Sequence, residues 1–342
     1  MTAPQQQPDS NSQPQSAGGA VAPHLLEVDH LKKYFRIGGG LLGGEVQYVQ
    51  AVDGVSFHIK AGETLSLVGE SGCGKSTIGR TLMKLIQPTS GAIRISGTDI
   101  VPLDRTQMQP YRRQMQIIFQ DPFSSLNPRM TAGDIVGEPL LVHNAATGSE
   151  REHRVADLFR RVGLRPDQIG KYPHEFSGGQ RQRIGIARAL ALGPRLIVGD
   201  EPVSALDVSV QAQVINLLMD LQAEFGLSYL FIAHDLSVVK HISHRVAVMY
   251  LGRMVEIADS RTLFRNPLHP YTEALLSAVP LPNPRKVRKQ RTILKGDVPS
   301  PTAPPPGCRF HTRCPLAVAE CKVKVPEMRE ITSNHWAACH LR

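Results

Sequence analysis

The sequence has no apolar run long enough to cross a membrane. A membrane-spanning helix needs about 18 or more consecutive apolar residues, and no stretch of the 342 residues approaches that length. The N-terminus, MTAPQQQPDSNSQPQSAGG, is polar and has no apolar core of the kind found in signal peptides. We therefore expect the protein to stay in the cytosol.

Acidic residues are few relative to basic ones. Thirty-nine Lys and Arg oppose 30 Asp and Glu, which gives a formal net charge of +9. This excess suits either an anionic membrane surface or a nucleic acid as partner, and charge alone does not choose between them. A chain of 342 residues is long enough for one large domain and a smaller one.

Cysteine is rare outside the last 35 residues, which hold four of the five cysteines. The four are Cys308, Cys314, Cys321 and Cys339, spaced C-x5-C-x6-C-x17-C. Because a reducing cytosol disfavours disulfides, the cluster indicates thiolate ligands for a metal. The C-x2-C pairs of common zinc folds are missing, and His311, His335 and His340 are competing ligands. The spacing leaves an iron–sulfur cluster, a zinc ion and uncoordinated thiols open.

The N-terminal part predicts a tail followed by strands. Residues 1–23 are rich in Gln, Pro, Ser and Gly and predict a disordered tail. HLLEVDHLKKYF then predicts a first strand, GGGLLGG a hairpin or flexible insertion, and EVQYVQAVDGVSFHI further strands. Tyr34 and Phe35 lie where an aromatic ring could stack on adenine, although a core position explains them equally well.

The segment TLSLVGESGCGKST, residues 64–77, predicts a strand, a phosphate-binding loop and the start of a helix. Glycine lets backbone N–H groups approach phosphate oxygens closely, and the helix N-terminus favours an anion. Lys75 adds a full positive charge, and Ser76 is placed to ligate Mg²⁺. The predicted nucleotide-contacting residues are Gly69, Glu70, Ser71, Gly72, Cys73, Gly74, Lys75, Ser76 and Thr77.

Three further apolar strands are predicted to end in polar residues. QMQIIFQ ends at Gln120, RLIVGDE ends at Asp200 and Glu201, and SYLFIAHDL contains His234. Ligands of α/β sheets bind at the carboxyl ends of strands, where Asp200 could hold Mg²⁺ through water and Glu201 could polarise an attacking water. Taken alone, Gln120 and His234 are better explained by ordinary structural roles, but His234 follows three other such features in order, which favours a functional role.

Two predicted helices begin with polar caps. Ser177, Gly178, Gly179 and Gln180 precede a helix whose free N–H groups form an anion site without a lysine of its own. Asp207 lies in the turn before the next helix.

From about residue 25 to residue 259 the chain closely resembles the nucleotide-binding subunit of ATP-binding cassette (ABC) transporters, because its motifs come in the family's order. The resemblance implies that residues 69–77 are the Walker A loop, Gln120 the Q-loop glutamine, Ser177–Gln180 the signature motif and Leu196–Asp200 Walker B. It further implies that Glu201 is the catalytic glutamate, Asp207 the D-loop aspartate, His234 the switch histidine and Phe35 the adenine-stacking aromatic. Ser76, Gln120 and Asp200 would then surround Mg²⁺.

The family pairs two cassettes head to tail, so the signature helix of one contacts the γ-phosphate bound by the other. The expected active site therefore combines Lys75 and Glu201 of this chain with Ser177 and Gly179 of a companion. Nothing in the motifs departs from the hydrolytic pattern, so the resemblance implies an active ATPase that uses ATP and Mg²⁺.

The segment RNPLHPYTEALLSAVP, residues 265–280, is similar to one shared by the peptide-importing branch of the family. The basic stretch PRKVRKQR, residues 284–291, is explained by a solvated surface or by contact with anionic lipid. Similarity to dipeptide and oligopeptide importer ATPases favours a [4Fe–4S] cluster on the four cysteines, with Zn²⁺ as the alternative.

We therefore predict an α/β fold, a P-loop ATPase cassette with an antiparallel β subdomain, a helical insertion at about 121–180 and a small cysteine-rich C-terminal extension. The expected divisions are a disordered tail at 1–23, the nucleotide-binding domain at 24–264 and the extension at 265–342.

The implied function is ATP hydrolysis that drives import of di- and oligopeptides from the cytoplasmic face of the inner membrane. Implied partners are a second, related ATPase, two transmembrane permease subunits and an extracytoplasmic peptide-binding protein, with no nucleic acid. Importers of nickel chelates or glutathione, a soluble nucleic-acid-associated ATPase and a non-enzymatic scaffold are the alternatives. The intact Lys75, Asp200, Glu201 and His234 disfavour the scaffold.

Overall fold

The computed structural model describes residues 24–38, 46–278 and 294–342. The predicted disordered tail, nearly all of the GGGLLGG insertion and the basic stretch at 284–291 lie outside these ranges.

The strands in the described ranges form two sheets. They are β1 Leu26–Ile37, β2 Gln47–Ile59, β3 Thr64–Val68, β4 Ser90–Ile95, β5 Thr98–Asp99, β6 Met115–Ile118, β7 Leu196–Asp200, β8 Ser228–Ile232, β9 Arg245–Tyr250, β10 Arg253–Asp259, β11 Arg329–Thr332 and β12 His335–Ala337. The helices are α1 Lys75–Leu82, α2 Gln109–Gln114, α3 Ala132–Val142, α4 Gly148–Arg161, α5 Gly178–Leu190, α6 Val208–Phe225, α7 Leu236–Ile242, α8 Ser260–Arg265, α9 Pro270–Ser277 and α10 Ala319–Val323, with 3₁₀ turns at Pro166–Gln168 and Pro173–Glu175.

The smaller sheet is antiparallel and has the strand order β2-β1-β4-β5. Its inward side chains, including Leu26, Leu31 and Ile93, are fully buried. They pack in one apolar cluster with Ile78 and Leu82 of α1. This sheet is the predicted antiparallel β subdomain, and it lies over the helix that follows the phosphate loop.

The larger sheet has the order β11-β12-β10-β9-β3-β8-β7-β6. Strands β9, β3, β8, β7 and β6 are parallel neighbours. Every residue of β3, β7 and β8 is buried, as expected where helices cover both faces of a parallel sheet. The carboxyl ends of these strands meet at one edge, which is where such folds place their ligands.

The predicted helical insertion contains α3 and α4 and leads into α5. Its apolar side chains Ile135, Val136 and Phe159 are buried and share a cluster with Ile184 and Ala187 of α5. Strand β6 ends at Ile118, two residues earlier than predicted, so Gln120 lies in the loop beyond the strand. No helix in the described ranges is both long and apolar enough to cross a membrane.

Strands β11 and β12 of the C-terminal extension join the larger sheet. Strand β12 pairs antiparallel with β10 through Glu256 opposite Ala337 and Ala258 opposite His335. Phe310 is 1% exposed, and its ring packs edge-on against Tyr250 at a centroid distance of 5.2 Å. Strand pairing and aromatic packing therefore hold the described part of the C-terminal extension on the main sheet.

Candidate functional site

The phosphate loop between β3 and α1 requires glycine at its two ends. Gly69 has φ +153°, and a Cβ there would lie 2.1 Å from the carbonyl oxygen of Met249. Gly74 has φ +106°, and a Cβ there would lie 2.0 Å from the carbonyl oxygen of Ala51. Both distances are far below van der Waals contact, so any side chain would displace the backbone. The loop is therefore packed tightly between β2 and the end of β9.

Lys75 lies under this loop and is 5% exposed. Its Nζ donates to the carbonyl oxygens of Gly69 at 2.9 Å and Glu70 at 3.1 Å. The ammonium is thus held next to the backbone that would surround a phosphate, where a buried positive charge favours a polyanion.

Ser76 and Asp200 contact each other directly. The Ser76 hydroxyl donates to Asp200 Oδ1 at 2.6 Å, and Asp200, the last residue of β7, is 1% exposed. A hydroxyl and a carboxylate at the start of a phosphate-binding helix provide the hard oxygen ligands that Mg²⁺ prefers. These two residues fit the predicted metal site.

Glu201 follows Asp200 with φ +50°, an uncommon backbone conformation for a residue with a side chain. Its Oε2 accepts from Gln120 Nε2 at 3.1 Å and lies 3.0 Å from His234 Nδ1. The three residues come from the loops after β6, β7 and β8, so parallel strand ends bring them together as the sequence predicts. His234 is 60% exposed and Glu201 only 16%, which leaves the imidazole facing the open side.

A cavity of about 660 Å³ connects these groups with the antiparallel sheet. Its lining includes Phe35, Val49, Ala51, Ser71, Gly72, Gly74, Lys75, Ser76, Thr77, Gln120, Glu201, His234 and Pro301. Phe35 is 36% exposed, whereas the neighbouring Tyr34 hydroxyl donates to Asp53 at 2.5 Å. Of these two aromatics the structure places Phe35 in the cavity. Pro301 was not predicted, since nothing in its local sequence marks a cavity wall.

The signature residues lie elsewhere and do not line this cavity. Ser177 Oγ accepts from the Gln180 N–H at 3.3 Å, and the Gln180 side chain accepts from the Ser177 N–H at 2.9 Å. This reciprocal cap fixes the start of α5 and leaves the N–H groups of Gly178 and Gly179 at its first turn. Asp207 caps α6 by accepting from the Val210 N–H at 2.9 Å.

The four C-terminal cysteines are free thiols that lie within electrostatic reach of one another. Burial, with smaller contributions from Cys321, Cys314 and Cys339, raises the pKa of the Cys308 thiol to about 11. The Cys308 N–H also donates to the Cys321 carbonyl oxygen at 2.8 Å. No three His, Cys, Asp or Glu side chains of the described ranges are arranged as a metal site. The structure thus groups these cysteines without forming the coordination that we predicted.

The C-terminal part reaches the phosphate loop through residues that sequence reasoning missed. The Arg313 guanidinium forms two bonds with the Glu70 carboxylate, at 2.8 and 3.1 Å. The Tyr271 hydroxyl accepts from the Glu70 N–H at 2.9 Å. Arg309 pairs with Asp53 of β2 at 2.6 Å. Pairs separated by some 200 positions follow no local periodicity and leave no pattern in a single sequence.

Four features together define an ATPase of the cassette type. They are Lys75 in its glycine loop, the Ser76–Asp200 pair, Glu201 directly after β7 and the capped start of α5. The protein-family model "ABC transporter" matches residues 52–204, and the model "Oligopeptide/dipeptide transporter, C-terminal region" matches residues 255–321. The chain belongs to the ATP-binding proteins of ABC transporters.

Among its relatives is the oligopeptide transport ATP-binding protein AppF of Bacillus subtilis, 58% identical over 319 residues, which are 93% of this chain and 97% of AppF. The probable peptide ABC transporter ATP-binding protein y4tS of Sinorhizobium fredii is 55% identical over 93% of this chain and 90% of its own. The dimeric ATP-binding cassette MJ0796 bound to ADP and Pi superposes with a TM-score of 0.61 at 30% identity, covering 69% of this chain and 99% of that one.

Proposed function

We propose that this chain hydrolyses ATP to drive a bacterial importer of di- and oligopeptides. The observation that carries the substrate class is the match of residues 255–321 to the C-terminal region of oligopeptide and dipeptide transporters. The names of AppF and y4tS, which describe peptide transport, support the same class. No feature of the site favours nickel chelates, glutathione or nucleic acid.

In the proposed reaction, each side chain of the site acts on a different part of the nucleotide or the attacking water. Lys75 supplies positive charge to the phosphates, and Ser76 and Asp200 would hold Mg²⁺, which would neutralise developing phosphate charge. Glu201 orients the attacking water and accepts its proton, because Gln120 and His234 hold its carboxylate at the sheet edge. Phe35 stacks on the adenine at the other end of the cavity.

The signature residues act in the proposed assembly on a nucleotide bound by another cassette. Support comes from their absence from the lining of this chain's own cavity and from the likeness to a dimeric cassette. We infer a pair with a second, related ATPase on the cytoplasmic face of the inner membrane, together with two permease subunits and an extracytoplasmic peptide-binding protein. Residues 24–264 would form the nucleotide-binding domain and 265–342 the extension.

The function is tested by reconstituting the full chain with its neighbouring permeases and second ATPase in lipid vesicles. A loaded peptide-binding protein should stimulate ATP hydrolysis, while the same binding protein without peptide should stimulate it less. Stimulation by a nickel chelate or glutathione but not by peptides would assign a different solute. Failure to assemble with the permeases, together with stimulation by DNA or RNA, would contradict the transport assignment.

We further propose that Cys308, Cys314, Cys321 and Cys339 hold a [4Fe–4S] cluster, with Zn²⁺ as the alternative. Support comes from the four free thiols in the last 35 residues, which influence one another electrostatically but are not arranged as a metal site in the described structure. Protein prepared without oxygen should absorb broadly near about 400 nm, where thiolate-to-iron charge transfer falls. Cys321→Ser should lose this absorption and the bound iron, whereas Cys73→Ser, at the fifth cysteine, should keep both. A colourless wild-type preparation containing zinc would overturn the cluster.

A further inference from the structure

Glu70 places a negative charge inside the phosphate loop. It follows Gly69 directly, and its carboxylate is 26% exposed. The Glu70 side chain does not line the cavity, but an unpaired negative charge within a phosphate-binding loop still repels a bound triphosphate. A loop that binds a polyanion therefore needs this carboxylate neutralised.

Arg313 supplies the opposite charge. It lies 243 positions further along the chain, and its two terminal nitrogens bond the two Glu70 carboxylate oxygens. The Arg313 side chain is 9% exposed, so the pair is shielded from water on the arginine side. Such two-pronged pairs fix geometry as well as charge, and the Glu70 carboxylate raises the pKa of Arg313 further above its usual value.

The main chain of Glu70 is held by hydrogen bonds as well. The Glu70 N–H donates to the Tyr271 hydroxyl, and the Glu70 carbonyl oxygen accepts from Lys75 Nζ. Contacts therefore run from Arg313 and Tyr271 through Glu70 to the lysine that would meet the phosphates. Tyr271 and Arg313 both lie in the segment that matches the oligopeptide and dipeptide transporter C-terminal region.

We propose that Arg313 is a positioning residue for the ATPase reaction. It neutralises Glu70 and holds the first half of the phosphate loop in the shape that binds nucleotide. The C-terminal extension thereby forms part of the nucleotide site of its own chain. This inference rests on the proposed binding of ATP in the loop.

The test measures the Kd of full-length protein for Mg-ATP, and KM and kcat in the assembled complex. Arg313→Gln should raise Kd and KM about tenfold, the usual scale for losing a charge-assisted bond, with kcat changed less. Arg313→Lys keeps the charge and should lie between it and wild type. Glu70→Gln should raise Kd less than Arg313→Gln, because it removes the repulsive charge together with the pair.

The double variant Glu70→Gln with Arg313→Gln should bind like Glu70→Gln alone, since Arg313 acts through Glu70. Arg342→Gln is the matched control, because Arg342 pairs with Glu273 elsewhere in the extension; it should leave Kd unchanged. A contrary outcome is that Arg313→Gln melts at a lower temperature than wild type yet keeps a Kd for Mg-ATP within about twofold of the wild-type value. That result would show that the pair with Glu70 is only a structural contact and would overturn the proposal. If Arg313→Gln does not fold, an unchanged Kd in Arg313→Lys and Glu70→Gln overturns it equally. Wild-type protein that binds no ATP would instead defeat the proposed function.

Discussion

Replacing Glu201 by Gln is expected to lower ATP hydrolysis by the assembled complex about 10²- to 10⁴-fold, the range that a positioned general base contributes. The amide keeps the size of the side chain but cannot accept the proton of the attacking water. ATP binding should remain, because the phosphate contacts come from the loop at 69–77 and the Ser76–Asp200 pair. The measurement is steady-state phosphate release next to the Kd for Mg-ATP.

Glu224→Gln is the matched control for this experiment. Glu224 is also a glutamate in an ion pair, with Arg161, but lies on α6 outside the cavity lining. Its hydrolysis rate should equal that of wild type. Ordinary turnover by Glu201→Gln within the complex would show that another group activates the water, and the mechanism above would be wrong.

A second large effect is expected at the signature helix. Ser177→Arg places a bulky cation where the partner's nucleotide would contact the first turn of α5, and it removes the reciprocal cap with Gln180. Loss of one donor to a transition-state anion costs about 10²- to 10³-fold in rate. We expect the rate of ATP hydrolysis to fall by that factor at the site that this chain's α5 would share with the partner's phosphate loop. The Kd for ATP at this chain's own phosphate loop should stay close to the wild-type value.

The control is Ser149→Arg, which adds the same side chain at an exposed serine near the start of α4. It should change neither rate nor affinity. If Ser177→Arg weakened ATP binding to the isolated chain as strongly as it slowed the complex, the signature helix would belong to the site of its own subunit. If Ser177→Arg and Ser149→Arg hydrolysed ATP at equal rates, α5 would have no role in the reaction.

The strand-end residues were predictable because parallel strands place their carboxyl ends at one edge. Gln120, Glu201 and His234 each follow an apolar run, and the fold brings them within hydrogen-bond distance. The glycines of the phosphate loop were predictable because a close backbone approach excludes Cβ atoms. In both cases a local pattern expresses a physical requirement.

The C-terminal contacts were not predictable in this way. The pairing of β12 with β10 depends on a register that the three residues of β12 cannot reveal. Arg313 sits beside Cys314 in a run with no helical or strand period. Its partner was already assigned to the phosphate loop, so neither residue indicated the other. Long-range ion pairs of single residues require the three-dimensional arrangement.

The pairing of β12 with β10 also determines which strand lies at one edge of the larger sheet, where other molecules could reach it. Without it, β10 would be a terminal strand of seven mostly buried residues whose open hydrogen-bonding groups could recruit strands of other chains. The hairpin replaces that edge with β11, four residues long and carrying exposed Arg329 and Glu330. A short, charged margin resists intermolecular strand addition. The β11–β12 hairpin therefore leaves a short, charged strand at this edge of the described sheet in place of β10.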